Sequence, residues 1–212
     1  MTTARAVGGT RHRAADRTAD RADAPVSEGG AALTAWLASL VHNHDYASLA
    51  ELRRPRVQRE PHFRALWYSP TEAQREVYGQ VAFLFAVYHQ GRTKPAFGYG
   101  SLGEAARRIG GGAGRGPDDP GAARLVDRIV SSRRIPWRHL QHAIARLRSC
   151  EQQPPSWAGL VDDLNRWHDR RARVPYEWGV AFHMPPARAA ADRAGALSLP
   201  TAAVSLPKDP TT

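Results

Sequence analysis

Paired acids and spaced histidines are the groups in this sequence whose types could support catalysis. Asp118-Asp119 and Asp162-Asp163 are adjacent carboxylates, and a metal-dependent nuclease uses carboxylates to hold its cation. Neither pair has a partner carboxylate in a recognisable arrangement, because we place the first in a linker and the second on an exposed helix face. His139 and His142 share a helix but lack a metalloprotease pattern between them. We therefore interpret these acids and histidines as structural residues.

The remaining reactive groups are equally isolated. Cys150 is the single cysteine, so an intramolecular disulfide and a cysteine zinc site are both excluded. His42, His44 and Asp45 are interpreted as helix-end and loop residues. The Gly-rich segment 110–121 lacks the GK[ST] ending of a phosphate loop and follows no predicted strand. We interpret it as a linker, and we predict no catalytic residue, no metal and no cofactor.

Arginine is the remaining candidate for a functional residue type, because its guanidinium group binds phosphate well. The chain of 212 residues has a formal net charge of +10 and a pI of about 10.7, and only Lys94 and Lys208 of its 30 basic residues are lysines. Between Ala122 and Cys150, seven arginines face one acid, Asp127. Such an imbalance favours a polyanionic partner. Without helix-turn-helix or zinc-finger spacing, phosphate contact rather than base reading is indicated.

Helices must position these arginines, because apolar residues recur at helical spacing and no segment alternates like a strand. Ser101 and Glu104 predict a capping box at one helix start. The tryptophans fall mostly on inward faces, which indicates core packing, although one could stack a base. The sequence predicts an all-α helical bundle, with helices over about 33–41, 46–54, 61–68, 70–89, 101–109, 122–132, 136–149, 157–167 and 174–184.

Composition divides the chain into a body and two tails. Residues 1–28 and 185–212 have few large apolar side chains, so we expect both tails to be disordered. The body, 29–184, keeps 22 basic and 14 acidic residues, a net charge of +8. Its longest apolar run, Val81–Tyr88, is too short to span a membrane, and no secretory signal is evident. We expect a cytoplasmic protein without membrane contact.

Several loose motifs occur in a familiar order within this body. They are SLAELRR, SLGEAARRIG, RLVDRIVSSRR, RHLQHAIARLRS and SWAGLVDDLNRWH, with an apolar helix after the first. Their order and gaps, over roughly 33–184, resemble the CasB family, the small subunits of the type I-E CRISPR surveillance complex Cascade. The two long tails and the insertion at 110–121 depart from compact members of that family.

The resemblance implies a non-catalytic, all-α subunit, present in two copies, that contacts other Cascade subunits, the CRISPR RNA and the target DNA with its displaced strand. It would support antiviral defence by stabilising the guide–target R-loop without reading sequence. An alternative is a basic helical scaffold that docks an acidic protein, and a third is a small hydrolase or nuclease. The nucleic-acid-binding residues that the resemblance implies are Arg53, Arg54, Arg75, Arg107, Arg108, Arg128, Arg133, Arg134, Arg138 and Arg146.

Overall fold

The computed structural model describes residues 26–54, 56–111 and 114–184, and it confirms the all-α prediction. Nine α-helices, two short 3₁₀ helices (Glu72–Gln74 and Gly116–Asp118) and one pair of very short strands make up the regular structure of this described part. The helices are α1 (Glu28–His42), α2 (Tyr46–Leu52), α3 (Glu60–Trp67), α4 (Arg75–Tyr88), α5 (Leu102–Ala106), α6 (Pro120–Val130), α7 (Trp137–Ser149), α8 (Trp157–Asn165) and α9 (Val174–His183).

Helix α4 lies at the centre of the bundle, because the longest apolar run of the chain forms its second half. It packs against α1, α2, α3, α7 and α8. Phe85 and Tyr88 both meet the buried ring of Trp157 edge-on, with ring centroids 5.3 and 5.9 Å apart, a favourable aromatic geometry. Within the described residues, no helix has both the length and the apolar character that a membrane span requires.

Polar side chains cap the first turns of several helices, as local sequence predicts. The predicted capping box at α5 is confirmed: Glu104 N donates to Ser101 Oγ at 3.3 Å, and Ser101 N donates to Glu104 Oε2 at 2.8 Å. Asp45, Asp119 and Ser156 accept from backbone N–H groups in the first turns of α2, α6 and α8. These bonds satisfy amides that a helix leaves unpaired.

The N-terminal boundary lies earlier than the sequence predicted. Ser27 Oγ accepts from Gly30 N at 3.2 Å and caps α1, whose first residue is Glu28. Ser27 N also donates to Asp162 Oδ2 at 2.9 Å, which ties the start of the body to α8. The predicted end of the disordered segment, residue 28, therefore lies too far along the chain. Ser27 and Glu28 are polar, but the first caps α1 and the second begins it. The predictions for 1–25 and 185–212 lie outside the described residues.

The Gly-rich segment differs from the plain linker expected there. Strands β1 (Gly110–Gly111) and β2 (Gly114–Arg115) pair antiparallel, and a 3₁₀ turn over Gly116–Asp118 follows. Gly116 has a φ of +58°, and a Cβ there would lie 2.8 Å from the carbonyl oxygen of Arg107. Glycine is thus required for a close backbone approach. Helix α6 then starts at Pro120, two residues before the predicted start, because proline fits a first helical turn.

His89 ends α4 as a fully buried histidine. Its Nδ1 lies 2.9 Å from the carbonyl oxygen of Phe85, and its Nε2 accepts from Ala96 N at 2.9 Å. The ring also stacks on Phe85, with 3.8 Å between centroids. Burial lowers the pKa of His89 to about 4, against the opposing effect of the Phe85 carbonyl and with a smaller lowering from Arg92. The imidazole is therefore neutral in the fold.

Stability is expected to fall by about 2 kcal/mol between pH 7.5 and pH 5, because the unfolded chain takes up a proton that folded His89 refuses. The stabilisation is complete above the ordinary histidine pKa of 6.5 and is lost as the pH falls towards the folded value of about 4. Urea unfolding at several pH values measures it. His89→Gln should flatten this pH dependence, whereas His142→Gln, at an exposed position, should leave it unchanged. An unchanged slope in His89→Gln would contradict the assignment.

Candidate nucleic-acid interface

The loop between α6 and α7 presents four exposed arginines. Arg133 and Arg134 lie in the loop itself, Arg128 near the end of α6 and Arg138 at the start of α7. The Ser132 hydroxyl donates to the carbonyl oxygen of Arg134 at 2.7 Å and shapes the loop. Within the part of the chain that the structure describes, these four guanidinium groups form no ion pair. They are cations facing solvent, open to an anionic partner.

A side-chain hydrogen bond joins the start of α7 to the start of α4. Trp137, next to Arg138, donates from Nε1 to Glu76 Oε1 at 2.9 Å. Arg75 precedes Glu76, its side chain is 55% exposed, and its only described ion pair is with Glu72, which is 88% exposed, at 3.6 Å. Such a surface pair contributes little. We use the name arginine edge for five exposed, predicted residues, the four around the α6–α7 loop and Arg75 beside the Trp137–Glu76 hydrogen bond: Arg75, Arg128, Arg133, Arg134 and Arg138.

Arg53 and Arg54 lie in a second basic cluster, at the C-terminal end of α4. Arg53 donates to the carbonyl oxygen of Ala86 at 3.4 Å, and Arg148 donates to that of Gln90 at 2.6 Å. Cations are favourable beside such helix-end carbonyls. Burial lowers the pKa of Arg53, and the charges of Arg148 and Arg54 lower it further. Arg53 therefore binds a carbonyl oxygen at the end of α4. Arg54 remains exposed, with its guanidinium 4.0 Å from the Glu51 carboxylate.

Arg107 and Arg108, which the resemblance placed at the interface, are turned towards the protein. Arg107 Nη1 donates to the carbonyl oxygen of Phe182 at 2.9 Å, which joins the end of α5 to α9. Arg108 donates to the carbonyl oxygen of Gln153 at 3.1 Å and lies 4.4 Å over the ring of Tyr99. Burial lowers the pKa of Arg108, so its surroundings are unlike bulk water. We therefore leave both residues out of the arginine edge.

Arg146 also has a protein partner. Its Nη2 lies 3.2 Å from Asp119 Oδ1, and both side chains are about three-quarters buried. The Ala122 amide and then Arg146 lower the pKa of the Asp119 carboxyl. Asp119, which the sequence placed in a linker, therefore caps α6 and links it to α7. Arg146 is committed to that link, and it does not belong to the arginine edge.

The prediction that Asp162-Asp163 lies on an exposed helix face is wrong for Asp163. Only 7% of Asp163 is exposed. Its Oδ2 accepts from Trp178 Nε1 at 2.7 Å, and its Oδ1 lies 3.4 Å from Arg166 Nη2. The neighbouring Asp162 accepts from Ser27 N, as described above. Both carboxylates hold elements of the fold together. Among the described residues, including His139 and His142, no group of three or more His, Cys, Asp or Glu side chains could hold a metal.

A cavity lined by residues of α8 and α9, and by Gln74 next to Arg75, has the wrong charge for phosphate. Its volume is about 430 Å³. Four acidic residues line it, and Arg166 is the one basic residue among its described lining: the acids are Glu104, Asp162, Asp163 and Glu177. A polyanion would be repelled from such a surface. The candidate interface is therefore an exposed edge and not a cleft.

The tryptophan prediction is confirmed for most positions and wrong for Trp67. Trp36, Trp157, Trp167 and Trp178 are buried, whereas Trp67 is 84% exposed. Phe63, Leu66 and Trp67 form one apolar stripe on α3, but the structure instead buries Pro61 and Ala65. Tyr68, one turn further, stacks on Trp36 at 5.7 Å. This second stripe, at positions i, i+4 and i+7, was the signal that sequence reasoning missed.

A helical bundle with an arginine-rich edge and no metal cluster among its described residues is the class of protein that these observations define. The family model of CRISPR-associated protein Cse2 matches residues 48–183, and the chain belongs to this family. This membership confirms the resemblance drawn from motif order and identifies the chain as a subunit of CRISPR Cascade, with other Cascade subunits as its partners.

A solved structure agrees at the level of fold. The crystal structure of CasB from Thermobifida fusca aligns with a TM-score of 0.56, covering 75% of this chain and 99% of that chain at 18% sequence identity. No curated protein sequence gives a significant match to this chain. At that identity the structural likeness establishes the shared fold alone, so the roles of individual arginines depend on the geometry described above.

Proposed function

We propose that this Cascade subunit is non-catalytic and binds nucleic-acid backbone through the arginine edge, without sequence preference, to stabilise the guide–target R-loop and its displaced strand in antiviral defence. The observation that carries the proposal is the group of exposed arginines at 128, 133, 134 and 138, which have no acidic partner among the described residues. Two copies per complex, each contacting CRISPR RNA and target DNA, are part of the same proposal.

Electrostatics explains how such an edge would act. Exchanging a DNA duplex for a guide–target duplex is nearly balanced in free energy, so contacts to the backbone can tip it. Each guanidinium that neutralises a phosphate releases a condensed counterion, which gives affinity that falls with salt. Phosphates are the same at every position, so these contacts carry no sequence information. Arg54, in the second cluster at the other end of α4, is exposed and would add a separate positive surface.

Reversing two charges in the loop should weaken binding sharply. For the full chain carrying Arg133→Glu and Arg134→Glu, we expect affinity for single-stranded DNA to fall at least about tenfold at moderate salt. The slope of log affinity against log salt should become shallower by about 1.4, since each single-strand phosphate contact contributes about 0.7. Fluorescence anisotropy across a salt series measures both quantities.

Arg170→Glu with Arg171→Glu is the matched control, because these adjacent arginines are also exposed but lie between α8 and α9. The control changes net charge equally and should leave most of the affinity and the salt slope in place. Equal losses in both double variants would reduce the effect to net charge and contradict the assigned site. If the parent chain bound no single-stranded DNA but bound an acidic protein through Arg133 and Arg134, the scaffold alternative would replace the proposal.

A further inference from the structure

We propose that Trp67 is a stacking platform for an unpaired base of the strand whose backbone the arginine edge holds, an inference that rests on the proposed function. Trp67 is 84% exposed and Phe63, one turn earlier on α3, is 57% exposed. Together they present a large aromatic surface to solvent. Aromatic faces of this kind stack nucleobases without regard to their identity, which suits a protein that reads no sequence.

The exposed ring is not required by the bundle. Pro61 and Ala65 already bury the opposite stripe of α3, and Tyr68 stacks on Trp36 to fix the end of the helix. Leaving an indole in water forgoes the burial free energy that a large aromatic residue supplies elsewhere. A ligand that covers the ring would recover that free energy on binding.

Trp67 lies beside the arginine edge. A surface depression of about 290 Å³ is lined by Phe63, Leu66, Trp67, Ser69 and Arg75. Arg75 belongs to the arginine edge, and the hydrogen bond from Trp137 to Glu76 connects the same place to the start of α7, next to Arg138. A strand held by phosphate contacts along this edge would bring its bases to the depression.

The charges around the ring favour a polyanion over an uncharged, apolar partner. Arg75 lines the depression, and its acidic partner Glu72, 3.6 Å away, is highly exposed. Arg64, on the same helix as the stripe, lies 5.5 Å over the Trp36 ring and 4.0 Å from the exposed Glu60. Such hydrated pairs separate at little cost when phosphate competes. A stacked base must be unpaired, so the ligand is single-stranded nucleic acid and not duplex. A protein that covers the same apolar stripe is the competing occupant, which the experiment below distinguishes.

The test compares Trp67→Ala and Trp67→Phe in the full chain, with single-stranded DNA carrying 2-aminopurine as the probe. We expect Trp67→Ala to weaken single-strand binding about tenfold, to abolish the quenching of 2-aminopurine, and to leave the salt slope unchanged. Trp67→Phe keeps an aromatic face and should retain most of the affinity and quenching. Duplex affinity should be the same in all three proteins. Because the ring is exposed, the unfolding temperature should also be unchanged.

Other outcomes would overturn the inference in distinguishable ways. Unchanged single-strand affinity and quenching in Trp67→Ala, with loss of binding in the Arg133→Glu, Arg134→Glu variant, would remove the stacking role and keep the proposed function. Unchanged DNA binding together with weaker self-association or weaker binding to other Cascade subunits would make the stripe a protein interface. Absence of single-strand binding by the parent chain at every salt concentration would overturn both proposals.

Discussion

Replacing Gly103 by alanine is expected to lower the free energy of unfolding by about 3 kcal/mol, because α5 and α9 touch backbone to backbone at this residue. A Cβ on Gly103 would overlap the carbonyl oxygen of Trp178 and lie 2.9 Å from its Cα. Neither atom can move as a side chain does, so one helix must shift and carry the Arg107–Phe182 contact with it. Urea unfolding followed by circular dichroism measures the loss.

Gly179→Ala is the matched control for Gly103→Ala. Gly179 lies on α9, but a Cβ there would meet only Val130, at 3.9 and 4.0 Å, which is ordinary contact. Alanine favours a helix over glycine by up to about 1 kcal/mol, so this variant should be as stable as the parent or more stable. If the two variants were destabilised equally, the close approach of α5 to α9 would not be the cause.

The helices themselves follow from local sequence. The apolar run that ends at Tyr88 has the composition of a buried helix, and it forms the second half of α4. The capping box at Ser101 depends on residues three positions apart, so it could be predicted without the rest of the fold. Such features are fixed by contacts between near neighbours, and a sequence displays near neighbours directly.

Contacts between near neighbours in the sequence do not predict which side of α3 faces the core. Two apolar stripes, one through Phe63 and Trp67 and one through Pro61 and Ala65, have compatible helical spacing. Only the packing of α3 on its neighbours decides which stripe is buried, and the larger side chains were not the ones selected. Hydrophobicity favours the wrong stripe, because burial depends on the shape of the facing surface as well as on the apolar area.

The candidate site was predictable as a charge imbalance but not as a set of residues. Arg107-Arg108 and Arg133-Arg134 are both adjacent arginine pairs, the first at the end of the predicted helix 101–109 and the second just after the predicted helix 122–132, and both were predicted to bind nucleic acid. The structure distinguishes them, because the carbonyl oxygens of Phe182 and Gln153 accept from the first pair. Those acceptors come from segments far along the chain. Distant contacts of this kind decide which arginines keep their charge available to a ligand.

Asp163 shows the same limit for the acidic residues, and its replacement tests the structural role that the fold gives it. We expect Asp163→Ala to lower the free energy of unfolding by about 3 kcal/mol, since it leaves the buried indole N–H of Trp178 without its carboxylate acceptor. The bond joins α8 to α9, so α9 should loosen first. Amide hydrogen exchange of α9, together with urea unfolding, measures both effects.

Asp163→Asn is the control that separates structure from catalysis. An amide oxygen can still accept from Trp178 Nε1, while the partly exposed ion pair with Arg166 is lost, so the cost should be about 1 kcal/mol. DNA affinity should be unchanged, because Asp163 lies in the acidic cavity and not on the arginine edge. A catalytic carboxylate would behave in the opposite way. The asparagine variant would then lose a measurable cleavage activity of the parent while remaining stable, and the non-catalytic assignment would be abandoned.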